Sequence, residues 1–201
     1  MDNLDTVIQR GVACAPNHTP ADGLPYRPTH SHAVQSSRDL KLVGCGPRGV
    51  IPDYVPFYFG RLSVMLLNLK TGRVAGYDEG QEPIIYLVST AQAVDAGSLG
   101  YVFTDGHGLA AFTSWFDDLS QLGAVDWGLV NERYWSDTRD DNDRQRRKQA
   151  EFLVHQGLPW RLISEIAVFD AVRARQVAQI LQALPERLRP PIAVRRDWYY
   201  V

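Results

Sequence analysis

One glutamate stands at the head of an otherwise apolar run late in the chain. Glu151 opens the segment Glu-Phe-Leu-Val, residues 151–154, which has the short apolar character of a buried strand. A carboxylate at the start of a strand often only faces solvent. A carboxylate placed in a cleft can instead stabilise a developing positive charge, as reactions through a sugar oxocarbenium ion require. Composition alone favours the solvent-facing carboxylate, and the role in a cleft is the alternative for Glu151.

A second candidate is the histidine of the string Thr-Asp-Gly-His-Gly, residues 104–108. This string follows a predicted strand over 101–103, and a glycine flanks His107 on each side. Loops at strand ends carry many binding and catalytic residues, although they also form plain turns. The string alone leaves both interpretations open for His107, as a site residue or as a packed loop histidine.

Three other patterns lack the sequence features that their functions would require. Residues 44–49, Gly-Cys-Gly-Pro-Arg-Gly, match the dinucleotide fingerprint, but prolines at 52 and 56 exclude the helix that must follow. The set Cys14, His18, His30, His32 and Cys45 lacks the paired spacing of structural zinc, so we expect no metal. Neither G-x-S-x-G nor H-E-x-x-H occurs, which leaves hydrolase and metalloprotease functions without support.

Composition indicates a soluble chain of balanced charge. The 201 residues include 21 basic and 23 acidic side chains, a net charge of −2, and 45% are hydrophobic. These values exclude a strongly basic nucleic-acid coat and an acidic disordered tail. No apolar run approaches the ~18 residues of a membrane span, no basic signal region opens the chain, and its two cysteines suit a reducing compartment. We expect one cytoplasmic domain over residues 1–201, with no membrane contact.

Short helices and strands must position the candidate residues. Periodicity predicts helices over 4–10, 106–122 and 171–184, and strands over 84–88, 101–103, 151–154, 166–169 and 192–194. Segment 50–59 contains two prolines, which favours an edge or irregular strand. The charged segment 136–148 predicts a solvated loop or a frayed helix. The expected class is α+β, with five or six strands and three or four helices.

Five longer strings carry a resemblance over residues 2–200. They are Asp-Tyr-Val-Pro-Phe-Tyr-Phe (53–59), Gln-Glu-Pro-Ile (81–84), Phe-Thr-Asp-Gly-His-Gly (103–108), Lys-Gln-Ala-Glu-Phe-Leu-Val (148–154) and Arg-Arg-Asp-Trp-Tyr-Tyr (195–200). In this order they resemble the DarT family, toxins that ADP-ribosylate bases of single-stranded DNA with NAD⁺ and pair with a macrodomain antitoxin. The resemblance implies an ADP-ribosyltransferase-like fold, a central, mostly antiparallel split β-sheet flanked by helices.

The resemblance also implies catalytic roles for three residues. Glu151 matches the family's catalytic glutamate, and His107 matches a site histidine. Arg38, in the string Gln-Ser-Ser-Arg (35–38), matches an arginine beside NAD⁺ and the transferred ribose.

Contacts with NAD⁺, the implied co-substrate, fall near the start of the chain. The family begins with a strand bearing an H-I-T-H-type string, just before the I-D-N-L that corresponds here to residues 1–4; that strand is expected to be missing from this chain. Asn3, Leu4, Arg38 and Met65 are the expected NAD⁺-binding residues, although core packing would explain Met65 equally well.

The variable stretch 134–147 corresponds to the loop that recognises the acceptor in ADP-ribosyltransferases. Arg144, Arg146 and Arg147 are expected to hold DNA phosphates as salt-sensitive contacts. Tyr134 and Trp135 offer stacking faces for an unpaired base. The alternative for the arginines is a solvated charged face.

The expected function is a toxin enzyme that transfers ADP-ribose from NAD⁺ to a base in single-stranded DNA and releases nicotinamide. Thymidine is the expected base, in a sequence-dependent context, and RNA or another base stays open. The alternative is a catalytically impaired relative that binds nucleic acid or an antitoxin without turning over NAD⁺. The expected partners are single-stranded DNA and a macrodomain antitoxin, with the enzyme a monomer.

Overall fold

The structure, a computed structural model, describes residues 1–27 and 36–201. Nine strands and six complete α-helices lie in these ranges, more than the sequence pattern predicts. The strands are β1 (Val12–Cys14), β2 (Tyr54–Tyr58), β3 (Tyr86–Val88), β4 (Tyr101–Thr104), β5 (Trp115–Phe116), β6 (Glu151–His155), β7 (Gly157–Pro159), β8 (Glu165–Val168) and β9 (Ile192–Val194). The helices are α1 (Leu4–Arg10), α2 (Val64–Lys70), α3 (Ala91–Ala96), α4 (Trp127–Asn131), α5 (Arg144–Lys148) and α6 (Ala171–Leu181).

A four-stranded antiparallel sheet, in the order β2-β6-β4-β5, carries Glu151. Strand β6 is central: Glu151 lies opposite Tyr58 of β2, and Phe152 lies opposite Phe103 of β4. The first four residues of β6 are buried. The strand predicted over 151–154 is confirmed, and within segment 50–59, predicted as an edge or irregular strand, residues 54–58 form the edge strand β2. An edge strand accommodates Pro56 because proline has no N–H to donate to a second neighbour.

A three-stranded sheet, in the order β3-β8-β9, forms the second half of the split sheet. Strand β8 runs antiparallel to β3 and parallel to β9, while β1 and β7 form a separate antiparallel pair. Asp170 caps the N-terminus of helix α6, and its side chain accepts a hydrogen bond from the Arg173 backbone N–H at 2.9 Å. Its Val177 and Leu181 are buried in the main hydrophobic core.

Strand β6 separates two hydrophobic clusters because its side chains alternate between the faces of the sheet. Phe152 and Val154 join the main core, which also contains Ile166 and Val168 of β8. Leu153 joins the smaller cluster on the opposite face, together with strand residues of β2 and β4. Between the two sheets lies a cavity of about 430 Å³, lined mainly by residues 57–61 of one sheet and 86–92 near the other.

The helix predicted over 106–122 is wrong. This segment forms turns, the short strand β5 and a 3₁₀ helix over Leu119–Ala124. Phe116 of β5 pairs with Phe103 of β4, and this pairing requires extended backbone. The apolar residues have helical spacing but serve different clusters, because Leu109 packs with the smaller cluster and Phe116 with the main core. Segment 84–88 has the apolar sequence expected of a fully buried strand, but its residues are half-buried and the strand begins at Tyr86.

Two of the sequence patterns have a simple structural outcome. Residues 44–49 lie between Leu42 and Val50, which pair in an isolated β-bridge. A 3₁₀ helix over Ile51–Asp53 follows in place of an α-helix. Over the described part of the chain, no group of three or more potential metal-ligating side chains occurs, and His30 and His32 lie outside that part. Within residues 1–27 and 36–201, no helix has both the length and the apolar character to cross a membrane.

Candidate active site

Glu151 is the centre of a buried polar cluster at the first position of β6, with only 4% of its surface exposed. Its two carboxylate oxygens accept hydrogen bonds from the guanidinium of Arg38, at 3.0 Å for Oε1 and 2.7 Å for Oε2. The backbone N–H of Gly108 donates a third, at 3.3 Å, to Oε1. Bidentate pairing of this kind fixes the carboxylate in one orientation, because two parallel hydrogen bonds define its plane.

Arg38 reaches this carboxylate from a segment 113 residues earlier in the chain. Its side chain is 12% exposed, so the ion pair is largely removed from water. Burial by itself lowers the pKa of Arg38, but the charge and hydrogen bonds of Glu151 outweigh burial and raise it. The guanidinium therefore stays protonated and balances the buried carboxylate.

The string 104–108 is held against Glu151 by the fully buried hydroxyl of Thr104. Thr104 Oγ1 accepts a hydrogen bond from the Glu151 backbone N–H at 3.0 Å and donates one to the Gly106 carbonyl at 2.7 Å. These two bonds fix the turn relative to the start of β6. Gly108 can then point its N–H at the Glu151 carboxylate.

His107 lies half-buried on the same turn, one residue before Gly108. Burial, followed by the positive charge of Arg38, lowers the pKa of His107, and the negative charge of Glu151 opposes this shift. The imidazole is consequently neutral at pH 7, with one nitrogen free to accept a proton or a hydrogen bond. The structure thus brings together Glu151, Arg38 and His107, the three residues expected to be catalytic.

Tyr58 stands beside the carboxylate, because it is the cross-strand partner of Glu151. Tyr58 exposes 43% of its surface, and desolvation of its hydroxyl is the main influence on its pKa. Desolvation of this hydroxyl, followed by the charge of Glu151, raises the pKa of Tyr58. The phenol therefore stays protonated and can donate a hydrogen bond near the carboxylate.

Arg146 is fixed inside the protein by two carboxylates. It donates bidentate hydrogen bonds of 2.7 Å to Asp143 and one of 2.9 Å to Asp105, and its side chain is 12% exposed. Its backbone carbonyl accepts the N–H of His107 at 2.9 Å. A side chain at Gly106 would collide with it, since a Cβ there would lie 2.3 Å from the guanidinium. Arg146 therefore joins the loop before β6 to the turn that carries His107.

The other two arginines expected to contact DNA also have partners within the chain. Arg147 pairs with Asp126 at 2.5 Å and with Asp141, and Arg144 donates to the carbonyls of Ser136 and Tyr134. As phosphate ligands, these side chains would have to share or exchange their present partners. Their DNA contacts remain a prediction.

Of the two aromatic residues expected to stack on a base, one is open and one is packed. Tyr134 exposes 81% of its surface. Trp135 is half-buried, and its indole N–H donates to the hydroxyl of Tyr200 at 3.0 Å. Of these two residues, Tyr134 presents the broad stacking face.

Apart from Arg38, the residues expected to bind NAD⁺, Asn3, Leu4 and Met65, have their partners outside the Glu151 cluster. The side chain of Asn3 is bonded through both its polar atoms to the backbone of Arg27, at 2.7 and 2.8 Å. Leu4 is buried in the main core, and Met65 packs in a small cluster around Leu69, Val74 and Tyr77. Within the described residues, no hydrogen bond or ion pair links Asn3, Leu4 or Met65 to Glu151.

Lys148 is buried, although a solvated loop or frayed helix is predicted over 136–148. Residues 144–148 form helix α5, and Lys148 is 5% exposed. Its ammonium group donates to the carbonyls of Val130 at 2.8 Å and Glu132 at 2.6 Å, with Arg61 at 3.5 Å. Burial lowers the pKa of Lys148 to about 8. These backbone carbonyls make burial tolerable because they replace the hydration of the ammonium group.

A sequence model described as DarT, an ssDNA thymidine ADP-ribosyltransferase, matches residues 1–200. The chain belongs to the DarT family. A DNA ADP-ribosyl transferase of Thermus sp. strain 2.9 is 40% identical over 200 residues, covering 100% of this chain and 92% of that protein. One from Escherichia coli O127:H6 is 29% identical over 199 residues, covering 99% of this chain and 89% of that protein.

Solved structures of the Thermus sp. 2.9 DarT have the same fold. Its complex with ADP-ribosylated ssDNA superposes with a TM-score of 0.91 at 40% identity, covering 99% of this chain and 92% of that one. Its complex with NAD⁺ gives a TM-score of 0.86 at 39% identity, covering 99% and 93%. The expected ADP-ribosyltransferase-like α+β fold is thereby confirmed.

The groups that support the DarT glutamate were only partly visible in the sequence. Gly108 and Thr104 belong to the 103–108 string that carries the resemblance, but their bonds to Glu151 do not follow from the string. Asp143 lies three residues before Arg146, a spacing that allows an ion pair within one helical turn. That spacing is the one sequence signal for an internal role of Arg146.

Proposed function

We propose that this chain transfers ADP-ribose from NAD⁺ to a thymidine base of single-stranded DNA, releasing nicotinamide. The observation that carries the proposal is the buried Glu151, held by Arg38 and by the Gly108 N–H, in a chain of the DarT family. We infer that residues 1–201 act as one catalytic domain, consistent with a family match over 1–200.

Glu151 is proposed to stabilise the charge that develops on the nicotinamide ribose. A carboxylate offers about four acceptor positions, and three of those on Glu151 are already used. The remaining position can accept a hydrogen bond from the ribose 2′-hydroxyl. This bond strengthens as the C1′–nicotinamide bond breaks and positive charge spreads over C1′ and the ring oxygen.

The second half of the reaction forms a bond from a base nitrogen to C1′. The electron pair of the broken C1′ bond leaves with nicotinamide, which departs neutral, and the attacking nitrogen loses its proton. We assign that proton to Glu151, on the reacting face, where it replaces one of the hydrogen bonds that the carboxylate accepts. Neutral His107 orients the base through a hydrogen bond, and Arg38 balances the carboxylate or holds a phosphate of NAD⁺.

The test combines labelled NAD⁺ with an oligonucleotide that contains a single thymidine, and compares three proteins. Glu151→Gln removes the charge but keeps the shape, and we expect its labelling rate to fall by at least ~10²–10³-fold. Glu165→Gln is the matched control, because Glu165 also opens a strand and pairs with an arginine, at 3.1 Å, but on the second sheet.

Loss of label with Glu151→Gln alone would support the proposed reaction. Parental labelling by Glu151→Gln would refute the assigned role of the carboxylate. No label from the parental chain, with nucleic-acid binding intact, would instead favour the impaired relative that does not turn over NAD⁺. Parallel oligonucleotides of RNA and of DNA without thymidine test the choice of acceptor.

We also infer the cellular setting from the family and from composition. A macrodomain antitoxin that opposes the modification is the proposed partner, and a monomer suits a cleft enzyme on a long strand. Cys14 and Cys45 are both unpaired, which fits a reducing cytoplasm. Growth arrest on expression, relieved by co-expression of a macrodomain hydrolase, is the expected result.

A further inference from the structure

Phe112 is a large aromatic side chain left on the surface beside the candidate active site. It exposes 69% of its surface, although it lies in the loop between His107 and strand β5. Single exposed apolar residues are common and need no explanation. Phe112 differs from such residues in how its ring is supported.

The ring of Phe112 rests on the guanidinium of Arg146 rather than on the hydrophobic core. The guanidinium carbon lies 5.0 Å from the ring centroid, within the range of a cation–π contact. Arg146 is itself held by Asp143 and Asp105, so it cannot follow the ring outward. One face of Phe112 is therefore supported by a fixed group while the opposite side is open to solvent.

The loop that carries Phe112 is closed onto His107. The His107 carbonyl accepts hydrogen bonds from the Ala110 N–H at 2.9 Å and the Thr113 hydroxyl at 2.8 Å. His107 is in turn followed by Gly108, which donates to Glu151. The supported ring thus lies five residues from His107, on the structural unit that fixes the reacting carboxylate.

The geometry points to Phe112 as a stacking platform for an unpaired nucleobase next to the base that is modified. Aromatic side chains bind single-stranded nucleic acid in this way, and a ring held in place loses little entropy on stacking. This subsite rests on the proposed function, because it positions the strand for that reaction. It differs from Tyr134, whose ring belongs to the acceptor loop.

The test measures binding of a fluorescent 12-nucleotide strand with a single thymidine, by anisotropy. Phe112→Leu keeps an apolar side chain at an exposed position, so its fold is preserved; Phe112→Trp keeps the stacking face. We expect Phe112→Leu to weaken binding by about 5- to 100-fold, the range for loss of one base–aromatic contact, and Phe112→Trp to bind at least as well as the parent. Val172→Ala, at an exposed site on α6, is the control.

A second set of strands locates the stacked base. Each strand replaces one nucleotide next to the thymidine with an abasic spacer. At the stacked position, the parental protein should lose affinity to the level of Phe112→Leu, and that variant should lose nothing further. A deficit of Phe112→Leu that persists on every spacer strand would overturn the proposal.

The same experiment separates this subsite from the function on which it rests. If the parental protein labels the thymidine strand while Phe112→Leu binds it as tightly as the parent, the subsite alone is refuted. If the parental protein neither labels nor binds the strand, both the subsite and the proposed function are refuted. NAD⁺ binding, followed by calorimetry in each variant, reports that the fold is intact.

Discussion

Replacing Arg146 with methionine distinguishes an internal role from a DNA contact. The change removes three charge-assisted hydrogen bonds, of 2.7, 2.7 and 2.9 Å, and leaves Asp143 and Asp105 without this partner. The three side chains are 12%, 29% and 21% exposed, so solvent screens them only in part. Breaking a buried pair costs about 3–5 kcal/mol and an exposed pair about 0.2–1 kcal/mol. We expect a loss of about 3 kcal/mol in the free energy of unfolding.

That loss lowers the melting temperature by about 6–12 °C in a chain of this size. We also expect DNA labelling to fall about tenfold, because the turn bearing His107 loses its support. The salt dependence of single-strand binding should not change, since Arg146 makes no phosphate contact in this interpretation. Arg146→Lys should recover part of the stability, as lysine can keep one of the two ion pairs.

The assay combines thermal unfolding with binding of single-stranded DNA at salt concentrations between about 50 and about 300 mM. Counterion release changes affinity measurably over this range. Arg139→Met is the control, because Arg139 is exposed on the same loop and has no ion pair within the described residues. An Arg146→Met protein with unchanged melting temperature, and a log–log salt slope reduced by about 0.7, would refute the internal role. Arg146 would then be the phosphate ligand that the sequence predicts.

Two further predictions concern buried polar groups near the start of β6. Thr104→Val leaves the Glu151 N–H and the Gly106 carbonyl unpaired, so we expect a loss of about 1–3 kcal/mol in urea unfolding together with slower labelling, while Thr104→Ser retains both. Equal stability of the valine and serine variants would contradict this. Because burial lowers the folded-state pKa of Lys148 to about 8 from 10.5, the unfolded chain binds more protons between these values, and this residue's contribution to stability rises with pH across that window. Urea midpoints at about pH 7.5 and 9.5 should therefore rise more in the parent than in Lys148→Met; identical pH profiles would show that Lys148 does not titrate there.

Local patterns were sufficient to predict the strand that bears Glu151 and the main elements around it. The apolar run at 151–154, the edge segment interrupted by Pro56 and the amphipathic helix at 171–184 each formed near their predicted bounds. In these segments, local propensity and tertiary packing favour the same conformation. The segment 106–122 failed for the opposite reason, because the pairing of Phe116 with Phe103 overrides a helical spacing of apolar residues.

The sequence was sufficient to predict which residues belong to the candidate site but not which of them contact one another. Glu151 and His107 were identifiable as candidates from their local context, whereas Arg38 came from the family resemblance alone. No periodicity connects residues 113 positions apart, so the Arg38–Glu151 pair emerges only from the folded chain. Arg146 and Arg147 show the same limit, since composition counts their charges but not the aspartates that pair with them.

The position of β6 in the sheet has a consequence for when the enzyme becomes competent during synthesis. Strand β6 fills the gap between β2 and β4, yet it leaves the ribosome after both of them. Until β6 inserts, β2 and β4 lack the strand that pairs with both of them, and Arg38 lacks the carboxylate of Glu151. A nascent or prematurely terminated chain ending before residue 151 therefore contains neither the reaction centre nor a closed sheet, and it exposes strand edges prone to aggregation. On the proposed function, ADP-ribosylation therefore requires a polypeptide that extends through β6, and shorter translation products are inactive in that reaction.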